Sequence, residues 1–470
     1  MAILAMLLEV RPMAEWMCLM GCRWPAAVIA LLSSAAIVFG LDGEIRIHDP
    51  STIVRCKDRY YVFGTGRGIP ILSSDDLFTW RREGRVFDRI PESVKKYVPK
   101  NDDVTVWAPD VVYHNSIYYL YYSVSAWGQF VSAVGLVTNK TLDPNDPDHQ
   151  WKDRGMVVHS VEGQQLNAID PGVICCPDGR MWLCYGSYHG NVELVELDPN
   201  TGLRIRPDSP VYIIANHSEA SKIIYHDGEY YLFVNHGSCC QGVNSTYNIR
   251  VGRSAKVTGP YLDRFGQDLA RGAGSLFIAA EGTQIGPGHF GPILVEDGIE
   301  RFSIHYEGDL AEAGRSFLDI KPLLWTLDGW PMPGKDVEDG TYQIRSFRTG
   351  TVLQVDPNAT TGSRANTARY LARDHQKWQI TRIAGWYYKI TSAATGLVLQ
   401  AEGQGVELGQ FDGRDQQLWR IDQLTDGTYR VAVKAPSQAL TATAMDESTR
   451  PVALQAFANS AGQRWVITMP

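Results

Sequence analysis

The strongest constraint on this chain is a unit that recurs five times from residue 46 onwards: a small or polar motif, a short β-rich run, a turn, then a second run with paired aromatics. The copies are HDPSTIVRCKDRYYVFGTG from His48, WAPDVVYHNSIYYLYYSVS from Trp107, AIDPGVICCPDGRMWLCYGSY from Ala168, EASKIIYHDGEYYLFVNHG from Glu219 and GHFGPILVEDGIERFSIHYEG from Gly288. Asp58, Asn115, Asp178-Gly179, Asp227-Gly228 and Asp297-Gly298 supply turn chemistry, and Tyr60-Tyr61, Tyr118-Tyr119, Trp182, Tyr230-Tyr231 and Phe302 follow it at matching places. A period of about 60 residues built from short strands, without helical spacing, predicts a five-bladed β-propeller. The repeated aromatics are read as packing between blades.

The opening position of each unit matters for chemistry, because the first strand of a blade lines the central axis. Those positions read Asp49, Asp110, Asp170, Glu219 and His289. Four carboxylates and a histidine in otherwise apolar segments are expected to converge on one pocket. Paired carboxylates are what an inverting glycosidase needs: one activates water, the other protonates the leaving oxygen, and a third nearby keeps the acid protonated.

Composition agrees with folded, turn-rich β structure: 44% hydrophobic residues, 20% charged, with 44 Gly and 24 Pro over 470 residues. That length favours two domains. A formal net charge of -8 and the absence of a Lys/Arg run point away from nucleic acid and from anionic membranes, and no protein partner is implied. A neutral sugar is the simpler ligand.

Residues 1–40 carry Arg23 before an apolar run from Trp24 to Phe39, ending in small residues, and read as a signal peptide for a secreted (extracellular or periplasmic) protein. Six of the eight cysteines follow it: Cys56, Cys175, Cys176, Cys184, Cys239 and Cys240. Export permits disulfides, and the vicinal pairs 175-176 and 239-240 could each close a strained ring or remain thiols. No CxxC pair stands at zinc spacing from histidine. Asn139, Asn216, Asn244 and Asn358 begin Asn-x-Ser/Thr acceptors.

After a Pro/Gly stretch at Trp330–Gly334 a second repeat begins. Units starting at Gly340, Gly385 and Gly427 close on Gln376-x-Trp378, Gln417-x-Trp419 and Gln463-x-Trp465, a period of about 43 residues. This threefold framework resembles the ricin-type β-trefoil, with its tryptophans in the core. The reading is therefore all-β: a five-bladed propeller over residues 44–333 and a trefoil over 338–470, the latter folding alone and adding sugar affinity.

The motifs HDPS at His48, WAPD at Trp107, IDP at Ile169, SEA at Ser218 and GHF at Gly288 resemble those of glycoside hydrolase family 43. The resemblance implies Asp49 as general base, Asp170 as the residue that tunes and orients the acid, and Glu219 as general acid. Trp107, Asp110 and Tyr188 are the candidate substrate-binding residues. His289 resembles the family histidine near an axial metal, often calcium. CCQGVNSTYNIRVGRS from Cys239 and GSYHG from Gly186 resemble the arabinan-cleaving members, which implies α-1,5-linked L-arabinan of plant cell-wall polysaccharide as substrate. Ser221, where those members usually have Pro, and Tyr188, where Trp is common, depart from the pattern. The alternatives are an exo-acting arabinofuranosidase, galactanase or xylosidase, or a non-catalytic sugar-binding propeller.

Overall fold

The computed structural model describes residues 40–295, 299–309, 315–443 and 449–470. The signal-peptide reading of residues 1–40 falls, but for Gly40, outside the described residues, as does the Asp297-Gly298 turn. Among the described residues no helix is long and apolar enough to cross a membrane.

Five sheets follow one another along the chain, antiparallel throughout but for the parallel edge pair of Asp42–Gly43 with Thr79–Trp80 in the first. Their innermost strands are Val54–Cys56, Thr105–His114, Gly172–Cys175, Glu219–His226 and Ile285–Val295. The hairpins form where the sequence supplies turn residues. Asn115-Ser116 and Asp227-Gly228 both have positive φ, the backbone that matches the twist of a two-residue hairpin. The ring closes where the chain entering blade 1 pairs with blade 5: Ile47 N–H donates to Ser316 O (3.1 Å) and Leu318 N–H to Ile45 O (2.8 Å).

The repeated aromatics are core. Tyr61, Tyr119, Trp182, Tyr231 and Phe302 are all at most 2% exposed. The Tyr118 hydroxyl donates to Arg55 O (2.8 Å), linking blade 2 to blade 1. All six described cysteines are free thiols. Cys175 and Cys176 lie in different core clusters, on opposite faces of their sheet, so that pair forms no ring.

The C-terminal region from Gly340 onwards is a twelve-stranded sheet system. Its threefold character is chemical as well as topological. Trp378, Trp419 and Trp465 are fully buried and donate from Nε1 to Leu353 O, Leu399 O and Leu440 O, each at 2.9 Å. The partner glutamines Gln376, Gln417 and Gln463 each donate to a loop carbonyl (Arg369, Gln410, Ala456) and accept an amide from the same loop. This is a β-trefoil whose repeat motif is consumed by its own core.

Propeller and trefoil pack as one compact unit. Arg301, 1% exposed on blade 5, pairs with Asp336 (2.9 Å) and Asp422 (3.8 Å) and lies 4.3 Å from the Trp386 ring centre. Trp386 Nε1 in turn donates to Asp76 O of blade 1 (2.8 Å). The stretch around residue 336 is therefore a fixed part of an interface, not a free spacer.

Candidate active site

At the mouth of the propeller five residues share one unusual backbone conformation: Asp49, Ala108, Asp170, Ala220 and His289 all have φ between 38° and 56°. Left-handed backbone is costly for residues with a Cβ, so its recurrence at every blade marks a constructed turn. These are the structurally equivalent positions. Between Trp107 and Asp110 and between Glu219 and Lys222 the register shifts by one residue, a bulge in the inner strand, and Asp110 stands two residues after its blade's marker, Ala108. Asp110 is thus not the counterpart of Asp49; Ala108 is. Glu219 stands one residue before its blade's marker.

That offset puts Asp110 deeper along the axis. It is 5% exposed and accepts from Thr52 N (3.0 Å), Val173 N (2.8 Å) and Lys222 Nζ (2.6 Å). These partners come from blades 1, 3 and 4, so Asp110 clamps the inner strands together rather than facing a sugar. A substrate-binding role does not suit a carboxylate with both oxygens occupied by protein.

Asp49, Asp170 and Glu219 do come together. Asp49 Oδ1 lies 3.0 Å from His289 Nδ1, 3.3 Å from His48 Nδ1 and 3.5 Å from His305 Nδ1, while Oδ2 accepts from Thr65 Oγ1 at 2.5 Å. Burial works against its charge, yet the His48 and His289 imidazoles outweigh burial and hold the carboxyl well below the ordinary range. His48 is correspondingly raised to about 9 despite its burial. His305 Nδ1 accepts the Asp49 amide (2.9 Å) and so must carry a lone pair; burial and the neighbouring His48 keep that ring neutral.

The other two carboxyls are pushed the opposite way. Burial, then the charge of Asp170, raises Glu219 to about 8, against the opposing Tyr247 hydroxyl that donates to Oε1 at 2.7 Å. Asp170 is raised to about 6 by burial, with His289 opposing and Asp49 adding. Its Oδ2 accepts the Ala220 amide at 3.1 Å. One mouth therefore holds an ionised carboxylate and a protonated carboxylic acid side by side, the pairing that acid and base roles require.

Trp107 is half-buried beside Trp127, ring centres 6.2 Å apart, and Trp127 is 85% exposed. Tyr188 is 39% exposed and donates to Asn235 O (2.9 Å); Asn235 also fixes the His289 amide through Oδ1 (3.2 Å). Cys240 Sγ is 3.2 Å from His48 Nε2 and 2.7 Å from Cys239 Sγ.

His289 lines a small axial cavity of about 20 Å³ together with Asp110, Asp170 and Lys222. Its Nε2 is buried with no hydrogen-bond partner. Against burial, Asp49 and Asp170 raise this ring's affinity for protons, so Nε2 has a lone pair to offer a cation only when the ring is neutral with its proton on Nδ1 toward Asp49. The six to eight oxygens of a protein-caged calcium are not gathered there among the described residues.

Sequence reasoning missed His48, Thr65, Lys222, Tyr247 and His305. Lys222 had a visible signal, since a lysine inside the apolar run Ala220–Tyr225 demands a buried partner.

The model of Glycosyl hydrolases family 43 matches residues 43–331, and that of the ricin-type beta-trefoil lectin domain-like family matches 324–411 and 374–457. The "Extracellular exo-alpha-(1->5)-L-arabinofuranosidase ArbA" of Cellvibrio japonicus is 38% identical over 66% of this chain and 91% of its own length. The "Extracellular endo-alpha-(1->5)-L-arabinanase 1" of Bacillus subtilis is 36% identical over 63% of this chain and 90% of its own. Among solved structures, Cellvibrio cellulosa alpha-L-arabinanase complexed with arabinohexaose superposes with a TM-score of 0.58 at 37% identity, covering 62% of this chain and 95% of that one. The family match spans more than half of the sequence and contains the whole five-sheet ring with its three converging carboxyls, so this chain belongs to glycoside hydrolase family 43 and is a glycoside hydrolase with a C-terminal ricin-type trefoil.

Proposed function

We propose that the protein is a secreted enzyme that hydrolyses α-1,5-linked L-arabinan with inversion of configuration, Asp49 acting as general base and Glu219 as general acid. The observation that carries this reading is the opposite electrostatic tuning of the two groups within one mouth. Ionised Asp49 takes a proton from a water molecule, whose oxygen attacks the anomeric carbon on the face opposite the leaving group. As that bond forms and the glycosidic C–O bond breaks, Glu219 gives its proton to the departing oxygen. Asp170 acts through Glu219, its charge opposing ionisation of the acid. Trp107 and Tyr188 offer apolar faces to sugar rings.

Both the exo-acting and the endo-acting relatives named above act on α-1,5 linkages, and their extracellular names support export. Product analysis on debranched arabinan separates the modes. A spread of oligomers supports endo cleavage, arabinose or one short product from chain ends supports exo cleavage, and no release removes arabinan as substrate.

A calcium ion at the axis would be held by His289 Nε2, with water completing its shell. Bound there, it would supply positive charge beneath the carboxyl cluster. The trefoil is proposed to hold cell-wall polysaccharide near the mouth, raising its local concentration.

A further inference from the structure

Beside the mouth lies a second pocket of about 610 Å³ whose charge is unlike the rest of this acidic chain. Arg46, Arg67, Arg82 and Arg85 line it, with no carboxylate among the described lining residues. The arginines come from three segments. Arg46 lies on the chain entering blade 1, Arg67 on the short strand Gly66–Arg67 that joins blade 2, and Arg82 and Arg85 on the strand Thr79–Arg85. Arg82 and Arg85 are close in sequence, in RREGR at 81–85, and the fold brings Arg46 and Arg67 to them.

Their neighbours show what ordinary surface arginines do here. Arg59 and Arg81 are both paired with Asp75 and Glu83 at 3.0–3.4 Å. Arg46, Arg67 and Arg82 are exposed and have no ion pair among the described residues, and Arg85 has a loose 3.8 Å contact to exposed Asp88. Four guanidiniums facing one cavity without an internal anion repel one another unless a ligand brings negative charge.

The pocket shares wall residues with the reactive centre. His48 and Thr65 belong to its wall, and both touch Asp49. A polysaccharide crossing the mouth on the Asp49 side would run into it. A planar carboxylate matches the guanidinium fork in two parallel hydrogen bonds, and a cavity of this volume has room for sugar rings as well.

We infer that this pocket is an anionic subsite that takes the carboxylate of a uronic-acid unit adjoining the arabinan segment being cut. The inference rests on the proposed function for its position next to a cleaved arabinan, and on the arginines alone for its charge preference. The substrate class is thereby narrowed to arabinan borne on, or near, an acidic polysaccharide backbone.

The test is calorimetric titration of the full chain with trigalacturonate, alongside hydrolysis of neutral debranched arabinan. Trigalacturonate should bind, and the R67A/R82A double variant should weaken it by about tenfold or more, as removal of two charge-assisted contacts requires. Both side chains are exposed, so the variant should retain the wild-type melting temperature. Raising salt from about 0.05 M to about 0.5 M should also weaken binding, and the fully methyl-esterified trimer should not bind. Absence of binding, binding indifferent to the double substitution, or inorganic phosphate binding as tightly as trigalacturonate would overturn the subsite. Arabinan hydrolysed without trigalacturonate binding sinks only this inference; trigalacturonate bound without arabinan hydrolysis supports the subsite and removes the arabinan reading.

Discussion

The backbone amide of Ala220 donates to Asp170 Oδ2 across 3.1 Å, tying the residue after Glu219 to the carboxyl that most resists Glu219's ionisation after burial itself. In the proposed reaction Asp170 both positions the acid and keeps its proton in place. Asp170→Asn removes the charge while retaining an oxygen for the amide. Glu219 should then ionise at lower pH, and the alkaline limb of the kcat/KM profile should move down, with a smaller effect on KM than on kcat. An unmoved limb would separate Asp170 from the acid.

Tyr247→Phe should move the same limb the other way. The hydroxyl donates to Glu219 Oε1 and favours its charged form, so its loss should raise the pH at which the acid fails. Opposite displacements in the two variants, measured side by side, would be difficult to obtain from a general loosening of the site.

Glu219→Gln should lower kcat by about 10²–10⁴-fold on substrates whose leaving group needs protonation. It should also change the pH dependence of stability. The folded acid titrates at about 8 against an ordinary 4.5, so between those values the native state binds more protons than the unfolded chain. Stability therefore falls as pH rises through that window, and the variant should show a flatter melting temperature there. Parallel thermal scans from pH 5 to pH 9 check the sign.

Arg301→Ala should destabilise the full chain by about 1–3 kcal/mol, because Asp336 loses its ion pair while Asp422 keeps Arg420 and Arg430. Denaturant unfolding measures it. For the same reason, cutting the chain near Gly334 should expose Arg301 and leave Trp386 without its Asp76 partner, giving fragments less stable than the whole. A truncated propeller with unchanged stability would contradict an interface of this kind.

Much of this was readable because the repeats are chemical. An aspartate followed by proline opens two blades, and the left-handed backbone at Asp49 and Asp170 makes those positions structural markers as well as candidate reactive groups. Gln-x-Trp was legible for the opposite reason, since its polar atoms are spent inside the trefoil. Asp110 was misplaced by two positions: Ala108-Pro109 is the counterpart of Asp49-Pro50 and Asp170-Pro171, and a carboxylate two residues past the left-handed turn becomes an axial clamp rather than a mouth residue. His305 and Tyr247 lie within β-rich segments where a ring reads as packing, and only closure of blade 5 against blade 1 brings His305 to the Asp49 amide. Of the four-arginine pocket the sequence shows only Arg82 and Arg85, neighbours in RREGR; Arg46 and Arg67 reach it from other segments through the fold.

Direct attack by water, with Asp49 as base and Glu219 as acid across one glycosidic bond, is the central step of the proposed reaction. Proton NMR of the first sugar released from an arabino-oligosaccharide, recorded before the anomers equilibrate, tests this in one experiment. Direct displacement by water should give a product of inverted anomeric configuration. A first-formed product with the configuration of the substrate would mean a covalent intermediate, and the assignment of Asp49 as a base would be wrong.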